Sequence, residues 1–223
     1  MQKGNLIVIE GLDGSGKATQ CGLICEDLEK LGKKVKKLSF PRYNEESSAL
    51  VRMYLGGKFG DDPRIVNAYA ASTFFAVDRY ASYMTDWKDD YAAGSYVVTD
   101  RYTTSNAVYQ TSKMPRDKWD SFLDWLMDFE FNKMGIPAPD LVIMLDVTED
   151  VSEKLMEKRY AGDESRMDID ERDIDYQHDS REAANFCAEK FGWKTVSCCS
   201  GGAMRPVGDI HREIMKLLGD YLS

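Results

Sequence analysis

The feature that most constrains this chain is a glycine-rich turn that joins a short apolar run, residues 6–9, to a helical pattern. The turn reads GLDGSGKAT and follows the phosphate-loop pattern G-x-x-x-x-G-K-[ST] except at its last position. Glycines let backbone N–H groups point inward at phosphate oxygens, the following helix N-terminus adds positive charge, and the lysine reaches the phosphates. This order favours a nucleoside triphosphate site over a simple glycine-rich turn. The predicted ATP-binding residues are Gly11, Asp13, Gly14, Ser15, Gly16, Lys17, Ala18 and Thr19.

The phosphate loop of this chain lacks the hydroxyl residue that normally contacts Mg²⁺. Ala18 stands where a Ser or Thr hydroxyl normally contacts Mg²⁺, and Thr19 points in another direction on the helix. We therefore expect Mg²⁺ to be held by water and by a carboxylate from elsewhere. Two predicted strands end in an aspartate, at the sheet edge where such folds bind ligands. Asp100 is preferred because Arg101 beside it can grip a phosphate through two nitrogens, whereas Asp146 can simply cap the next helix.

Short apolar runs alternate with helical patterns along the whole chain. The predicted strands are residues 6–9, 35–40, 96–99, 141–147 and 194–198. The run at 141–147 is apolar on both faces, as expected of a strand that is covered on both sides. The fold class is therefore α/β, a doubly wound, five-stranded parallel sheet with helices on both faces. Two apolar stripes mark helices: Ile24, Leu28 and Leu31, ended by Gly32, and Ile210, Ile214, Leu217, Leu218 and Tyr221.

Composition excludes several classes of protein. A chain of 223 residues with 43% hydrophobic content can build one domain with a core, so it is neither disordered nor held together by disulfides. The net charge of -9 excludes the broad basic face of a general nucleic-acid binder. No segment approaches the roughly 18 apolar residues of a membrane span. Five cysteines without a CxxC pair predict reduced, buried thiols and a cytoplasmic location: Cys21, Cys25, Cys187, Cys198 and Cys199.

A kinase fits the sequence better than a GTPase. A GTPase would be expected to carry an Asn-Lys-x-Asp motif that reads guanine. The nearest match, NKMG at residues 132–135, lacks the carboxylate that would pair with the guanine edge. The phosphate loop is therefore interpreted as part of a kinase.

Four motifs together resemble the thymidylate kinase family. Besides the phosphate loop they are FPRY at residues 40–43, FAVDR at 75–79 and DRYTTSNAVYQ at 100–110. They occur in the family's order and spacing, which is far more specific than a phosphate loop alone. The resemblance implies a single P-loop nucleoside monophosphate kinase domain over residues 1–223. It implies transfer of the ATP γ-phosphoryl group to dTMP with Mg²⁺, giving dTDP and ADP for dTTP synthesis.

The resemblance also assigns roles in a pocket for the base and sugar. Phe75 offers a flat face for stacking on thymine, although an ordinary core aromatic is the alternative. Arg79 lies one turn later and would donate to the O4 carbonyl of the base, which would reject dCMP because cytosine presents an amino group there. Tyr109 resembles the ring that favours deoxyribose. The other members of this predicted pocket are Ser105, Asn106 and Gln110.

Charged residues are expected around the acceptor phosphate. Arg42 and Arg101 are the implied clamps, since planar guanidinium groups suit phosphate. Asp13 resembles the family carboxylate near the sugar 3′-hydroxyl and the acceptor phosphate. Phe40 is expected to pack beside the substrate.

The segment 157–179 is almost wholly charged and polar, which is typical of a solvated helix surface or of a mobile lid. The resemblance favours a lid over residues 157–175. Some family members carry an arginine in the phosphate loop, and members without one use lid cations to stabilise the transferring group. This loop has no arginine, so Arg159 and Arg166 are predicted to be catalytic together with Lys17, Asp13 and Arg101, with Arg172 behind them.

Three further expectations concern partners and rival functions. ATP and dTMP are the expected partners, without nucleic acid or membrane, and family members generally form homodimers through helices. The rival enzymes are a kinase for another deoxynucleoside monophosphate and a nucleoside kinase. A rival of another class is a non-catalytic nucleotide-binding regulator, which would have no use for Lys17, Asp100, Arg101 and Arg42.

Overall fold

Five parallel strands form the central sheet of the computed structural model, which describes residues 3–160, 163 and 167–222. Their order in the sheet is β2-β3-β1-β4-β5, so that the strand before the phosphate loop lies in the middle. All five predicted strands are confirmed within one residue at each end. Their bounds are β1 Asn5–Glu10, β2 Val35–Ser39, β3 Tyr96–Asp100, β4 Leu141–Asp146 and β5 Lys194–Ser197.

Helices follow the strands and cover the sheet. Two π-helical turns extend helices of the fold. Tyr83–Trp87 lies between the helices Ala68–Ser82 and Lys88–Ala92, and Asp128–Lys133 follows the helix Trp119–Met127. Short 3₁₀ turns lie at Glu46–Ser48, Thr111–Lys113 and Arg116–Lys118. The helices are α1 Lys17–Lys30, α2 Ala49–Leu55, α3 Ala68–Ser82, α4 Lys88–Ala92, α5 Thr103–Tyr109, α6 Trp119–Met127, α7 Glu149–Tyr160, α8 Ile169–Arg172, α9 Ile174–Phe191 and α10 Val207–Leu222.

The central strand β1 contributes to a hydrophobic core on each face of the sheet. Because successive side chains of a strand point to opposite faces, Ile7 and Ile9 pack in one cluster with residues of α1 and α10. Leu6 and Val8 pack in another cluster, which contains Trp87. All four β1 side chains are fully buried. The doubly wound architecture expected from the sequence is therefore confirmed.

The two apolar stripes predicted for helices are only partly buried. Ile24 and Leu28 of α1 are buried, and Gly32 has the left-handed φ of 74° expected after a helix end. Leu31, however, is the residue that caps α1 and is 67% exposed, so the buried part of this stripe ends at Leu28. In α10 the residues Ile210, Ile214 and Leu218 are buried, Leu217 is half-buried, and Tyr221 is exposed.

The end of the sheet carries a feature that the apolar pattern does not predict. After β5 the chain forms a small antiparallel hairpin, β6 (Cys199–Ser200) and β7 (Ala203–Met204). All five cysteines are free thiols, and four of them are buried as expected. Cys199 is only half-buried because it lies in this hairpin. Separately, none of the helices in the described ranges is long and apolar enough to cross a membrane.

Candidate active site

The glycine turn between β1 and α1 forms a tight phosphate loop. A side chain at Gly11, whose φ is 150°, would place its Cβ 2.7 Å from the Ser15 Oγ atom and 2.8 Å from the Leu145 carbonyl oxygen. Gly16 precedes the first turn of α1 with a left-handed φ of 90°, which a side chain would strain. The buried Ser15 hydroxyl has no hydrogen-bond partner among the described residues. The loop thus combines tightly turned glycine backbone, a helix N-terminus and a hydroxyl unpaired among the described residues, a combination suited to phosphate oxygens.

Lys17 is folded back onto the phosphate loop. Its Nζ atom donates to the carbonyl oxygens of Gly11 and Leu12, at 2.8 Å each. Burial, with the positive charge of Arg101, lowers the pKa of Lys17 to about 8, against opposing effects of Asp13, Glu10 and Asp100. Ala18 and Thr19, by contrast, are exposed on the first turn of α1.

Asp13 links the phosphate loop to α5. Its Oδ1 atom accepts a hydrogen bond from Arg101 Nη2 at 2.5 Å, and its Oδ2 atom accepts one from the Tyr109 hydroxyl at 3.1 Å. The Arg101 guanidinium also lies 5.2 Å from the centre of the Tyr109 ring. Burial alone would raise the pKa of Asp13, but Arg101, Lys17 and the Tyr109 hydrogen bond outweigh burial and lower it to about 2. Asp13 is therefore a carboxylate at neutral pH.

Arg101 adopts a backbone conformation that is rare for its residue type. Its φ of 64° makes it the one non-glycine residue with positive φ among those described. Such a conformation costs on the order of 1–3 kcal/mol and persists only where the surroundings hold it. Here the Asp13 ion pair and the Tyr109 ring hold the side chain at the junction of β3 and α5.

Glu10 belongs to the site although none of the four motifs points to it. It is the last residue of β1 and is almost fully buried. Its Oε1 atom accepts from the Gly11 backbone N–H at 3.0 Å, and its Oε2 atom accepts from the hydroxyls of Thr104 at 2.6 Å and Ser105 at 2.8 Å. The carboxylate therefore ties the start of the phosphate loop to α5. A charged residue ending an otherwise buried strand is the sequence signal that marks it.

A cavity of about 630 Å³ lies beside Asp13. Phe75 is half-buried on its wall and contacts Tyr54 edge to face at 6.2 Å between ring centres. The Ser105 hydroxyl, although it lines the cavity, is used by Glu10. The Oε1 atom of Gln110 is buried without a partner in the described part of the chain. The cavity brings together these predicted residues: Asp13, Phe40, Phe75, Arg79, Asp100, Arg101, Ser105, Asn106, Tyr109 and Gln110.

Arg79 reaches the cavity from α3 but is not the exposed ion-pair residue that a lone arginine suggests. It is 2% exposed, and its Nε and Nη2 atoms donate to the two carboxylate oxygens of Glu130 at 2.7 and 2.6 Å. Its Nη1 atom has a longer bond, 3.4 Å, to the Tyr102 carbonyl oxygen. Glu130 is a second residue that motif analysis missed. The signal that could have found it is its place four residues after buried Leu126, where the apolar spacing of α6 would continue beyond the end of that helix.

Arg42 is the predicted phosphate clamp that the structure does not bring to the cavity. Its guanidinium lies 3.5 Å from Glu45 and 3.8 Å from Asp86, measured between the nearest nitrogen and oxygen atoms. Arg52 of α2 lines the cavity instead, where its Nη1 atom donates to the carbonyl oxygens of Tyr43 and Glu45. The role of Arg42 thus stays a prediction that would need its side chain to turn.

Described residues of the charged segment form one wall of the cavity, namely Tyr160, Met167, Asp168, Asp170, Glu171 and Arg172. Ile169 of α8 is buried against Val51, Tyr54 and Leu55, so this part is not a fully solvated surface. Asp168 begins α8 with a capping box, and burial together with the charges of Asp170 and Glu171 raises its pKa to about 8. Arg172 is exposed at the rim, and its Nε atom donates to the Asp168 carbonyl oxygen. The side chain of Arg159 and the whole of Arg166 lie outside the described residues.

Asp170 attaches α8 to the body of the protein and makes stability depend on pH. Its carboxylate accepts from the Tyr54 hydroxyl at 2.9 Å, and burial raises its pKa from 3.8 to about 6 despite the charge of Lys113. A raised pKa contributes stability that is fully present below the unfolded value of 3.8 and is lost as pH rises through about 6.

We expect an Asp170→Asn variant to gain stability relative to wild type as pH rises from 4 to 7, by up to roughly 3 kcal/mol, because the amide stays neutral. Urea unfolding of both proteins at intervals across this range measures the difference. A difference that does not vary with pH would contradict the expectation.

The residues near the phosphate loop fit a magnesium ion held mainly by phosphate and water. Asp100 is nearly buried at the end of β3, and its carboxylate has no hydrogen bond or ion pair among the described residues. Both carboxylate oxygens of Glu10 already accept hydrogen bonds, and Asp146 lies 3.5 Å from the Arg181 guanidinium. Mg²⁺ commonly uses only one or two protein carboxylates beside substrate phosphates. Asp100 is therefore the carboxylate left available at this edge.

Comparisons with known proteins give a consistent result. The sequence profile described as "Thymidylate kinase" matches residues 9–214. A thymidylate kinase of Mycobacterium tuberculosis is 33% identical over 175 residues, covering 77% of this chain and 80% of the relative. A probable thymidylate kinase of Thermococcus onnurineus is 33% identical over 215 residues, covering 95% and 96%. The solved thymidylate kinase of Candida albicans superposes with a TM-score of 0.73 at 20% identity, covering 98% and 92%, which supports the fold.

Proposed function

This chain belongs to the thymidylate kinase family, and from that premise we propose how its cavity performs the reaction. The enzyme transfers the γ-phosphoryl group of ATP to dTMP, giving dTDP and ADP. One observation carries the assignment of roles. Asp13 of the phosphate loop is hydrogen-bonded to Arg101 and Tyr109 of the neighbouring cavity, so donor and acceptor sites share a wall.

On the donor side, the phosphate loop binds the triphosphate of ATP. Backbone N–H groups between Gly11 and Thr19 and the Ser15 hydroxyl contact the phosphates, and Lys17 exchanges its loop carbonyl partners for phosphate oxygens. When bound, Mg²⁺ would supply positive charge that offsets the charge of the phosphates. Asp100 is the residue that would hold it, which suits a loop that has Ala18 in place of a hydroxyl residue.

On the acceptor side, the base of dTMP stacks on Phe75 beside Phe40 and is read by Arg79 and Asn106. Tyr109 excludes a 2′-hydroxyl. Arg101, and Arg42 after a change of rotamer, clamp the monophosphate. Asp13 orients the sugar 3′-hydroxyl and keeps Arg101 at the acceptor phosphate. Transfer takes place in line, from the γ-phosphorus to an acceptor oxygen of the dTMP phosphate, and needs no covalent intermediate.

The reaction is tested by measuring ADP formation with dTMP, dUMP, dGMP, dCMP and thymidine as acceptors, and by identifying the product. We expect dTMP to be preferred and to yield dTDP. Preference for another monophosphate or for thymidine would favour a rival kinase. Tight nucleotide binding without turnover would favour a non-catalytic regulator.

An Arg79→Ala variant is expected to raise the KM for dTMP by about tenfold or more while the KM for ATP stays near wild type. The reason is that a charge-assisted hydrogen bond to the O4 atom of the base is lost. Steady-state kinetics with each substrate varied in turn measures this. An unchanged KM for dTMP would mean that the base is read elsewhere.

The expected homodimer is also part of this proposal. Tyr69, Val77, Tyr80 and Met84 are exposed along one face of α3 and its π-helical continuation, and Tyr69 contacts Trp125 of α6. A second copy covering this stripe would bury it through a twofold helix contact. Sedimentation analysis should find a dimer in wild type and a shift toward monomer in Val77→Glu. Leu31→Glu, at an exposed apolar residue outside the stripe, is the matched control.

The cytoplasmic location predicted from the cysteines is likewise proposed. It is supported by five free thiols. Imaging of a fluorescently tagged full chain in its own cells would test it.

A further inference from the structure

Glu130 is a fully buried carboxylate to which neither the motifs nor the family resemblance assigns a role. It is 0% exposed and lies in the π-helical turn Asp128–Lys133 that follows α6. Burying a charged side chain is costly unless it is paired and hydrogen-bonded. Glu130 is not among the residues that line the substrate cavity, so any effect on the reaction must pass through its partners.

Two of the partners of Glu130 are the residues proposed to read the base. Arg79 donates to both of its carboxylate oxygens, as described above, and Asn106 Nδ2 donates to Oε1 at 3.3 Å. The Thr103 hydroxyl adds a bond to Oε2 at 2.8 Å. A single carboxylate therefore holds residues from α3 and α5 in one network.

This network determines which way the Asn106 amide faces. Its Nδ2 atom donates to the Ser72 carbonyl oxygen at 3.1 Å as well as to Glu130. A backbone carbonyl and an ionised carboxylate are acceptors only, so a flipped amide would point its oxygen at two acceptors. The amide nitrogen is held against Glu130 and Ser72, and the Oδ1 atom is left for the cavity.

Arg79 is fixed by the same carboxylate in a complementary way. Two of its nitrogens are used by Glu130, and Nη1 keeps only the 3.4 Å contact with the Tyr102 carbonyl oxygen. The cavity is therefore offered one donor, from Arg79, and one acceptor, from Asn106. Thymine presents the complementary pair, a carbonyl oxygen at O4 and an N–H at N3. Cytosine presents the reverse, an amino group and an unprotonated ring nitrogen.

We propose that Glu130 is a positioning residue that fixes this donor and acceptor pair and so sets the preference of the enzyme for thymine over cytosine. Glu130 touches no substrate and acts through Arg79 and Asn106. This inference rests on the proposed function. It adds that pyrimidine specificity depends on a buried residue outside the cavity.

The test is a Glu130→Gln variant assayed with dTMP and dCMP. The amide side chain has nearly the same shape, removes the charge that holds Arg79, and offers Asn106 a donor that permits its amide to flip. We expect the ratio of kcat/KM for dTMP to kcat/KM for dCMP to fall at least tenfold. The KM for dTMP should rise while the KM for ATP stays within twofold of wild type. Because both acceptors are assayed on one preparation, loss of folded protein cancels from the ratio.

Two further variants keep the test decisive. Asp140→Asn is the control: Asp140 accepts from the Leu6 backbone N–H and from Lys3 away from the cavity, so its loss should leave the ratio unchanged. Thr103→Val removes one hydrogen-bond donor from Glu130 while Arg79 still pairs with the carboxylate. The ratio of kcat/KM for dTMP to that for dCMP should therefore fall by a smaller factor than in Glu130→Gln. If Glu130→Gln does not fold, Thr103→Val decides: a ratio below that of wild type supports the role of Glu130, and a wild-type ratio overturns it.

The outcomes separate this inference from the proposed function. A wild-type ratio in folded Glu130→Gln overturns the role of Glu130 and leaves dTMP phosphorylation intact. A wild-type protein that does not phosphorylate dTMP overturns the proposed function, and this inference with it.

Discussion

A Lys17→Ala variant is expected to lose about 10³-fold in kcat, since removing one preorganised donor to a developing charge typically costs about 10²–10³. Lys17 is the lysine of the phosphate loop and lies at the N-terminus of α1, where an ammonium group reaches the transferring phosphates. Its present partners, the Gly11 and Leu12 carbonyl oxygens, hold it at the loop before nucleotide binds. The position of the charge is therefore preorganised.

The measurement is steady-state kcat at saturating ATP and dTMP. Lys30→Ala is the matched control, because Lys30 lies at the other end of the same helix, exposed and paired with Asp27 at 2.8 Å. It should keep the wild-type kcat. A kcat for Lys17→Ala within threefold of wild type would show that the loop lysine does not act on the transferring group.

Arg159→Ala and Arg166→Ala are each expected to lower kcat by about 10³-fold or more, the range typical of arginine fingers in phosphoryl transfer. The KM for dTMP should change little, because the contact forms only in the transition state. The other arginines of the cavity are already paired with groups of the protein. Arg79 is held by Glu130 and Arg101 by Asp13, while Arg52 donates to backbone carbonyls. The charge that spreads over the transferring group thus needs further cations.

The described sequence neighbours of these two arginines line the cavity. They are Tyr160, which follows Arg159, and Met167, which follows Arg166. Lys154→Ala is the control on the same helix, since Lys154 is exposed and lies 3.9 Å from Asp150. Wild-type kcat in both arginine variants would show that neither arginine stabilises the transition state.

Local sequence rules predicted most of the fold and the position of the phosphate loop. The β1 run, the glycines and the helical spacing of α1 act over a few residues, and such rules do not depend on the rest of the chain. The same is true of Gly32, whose left-handed backbone ends α1. Leu31 belongs to the apolar stripe of α1 but is exposed, because apolar spacing does not tell where a helix leaves the core.

Local sequence rules could not predict the contacts between residues that lie far apart in the sequence. Arg79 and Glu130 are 51 residues apart, and Asp13 and Arg101 are 88 apart. Arg42 has the right chemistry for a phosphate clamp, yet its guanidinium does not line the cavity. It lies near Asp86, in the π-helical turn after α3. Side-chain direction depends on which charges the fold brings near, and that is a tertiary property.

The sequence by itself determined the α/β class, the phosphate loop, the family and many of the residues that line the cavity. Only the tertiary structure decided which of their atoms are free to bind. Asp13 became a linker between two sites, and Arg79 and Asn106 acquired a defined donor and acceptor through Glu130. The physical reason is that backbone preferences act locally, whereas a buried charge must find its partners wherever the fold brings them.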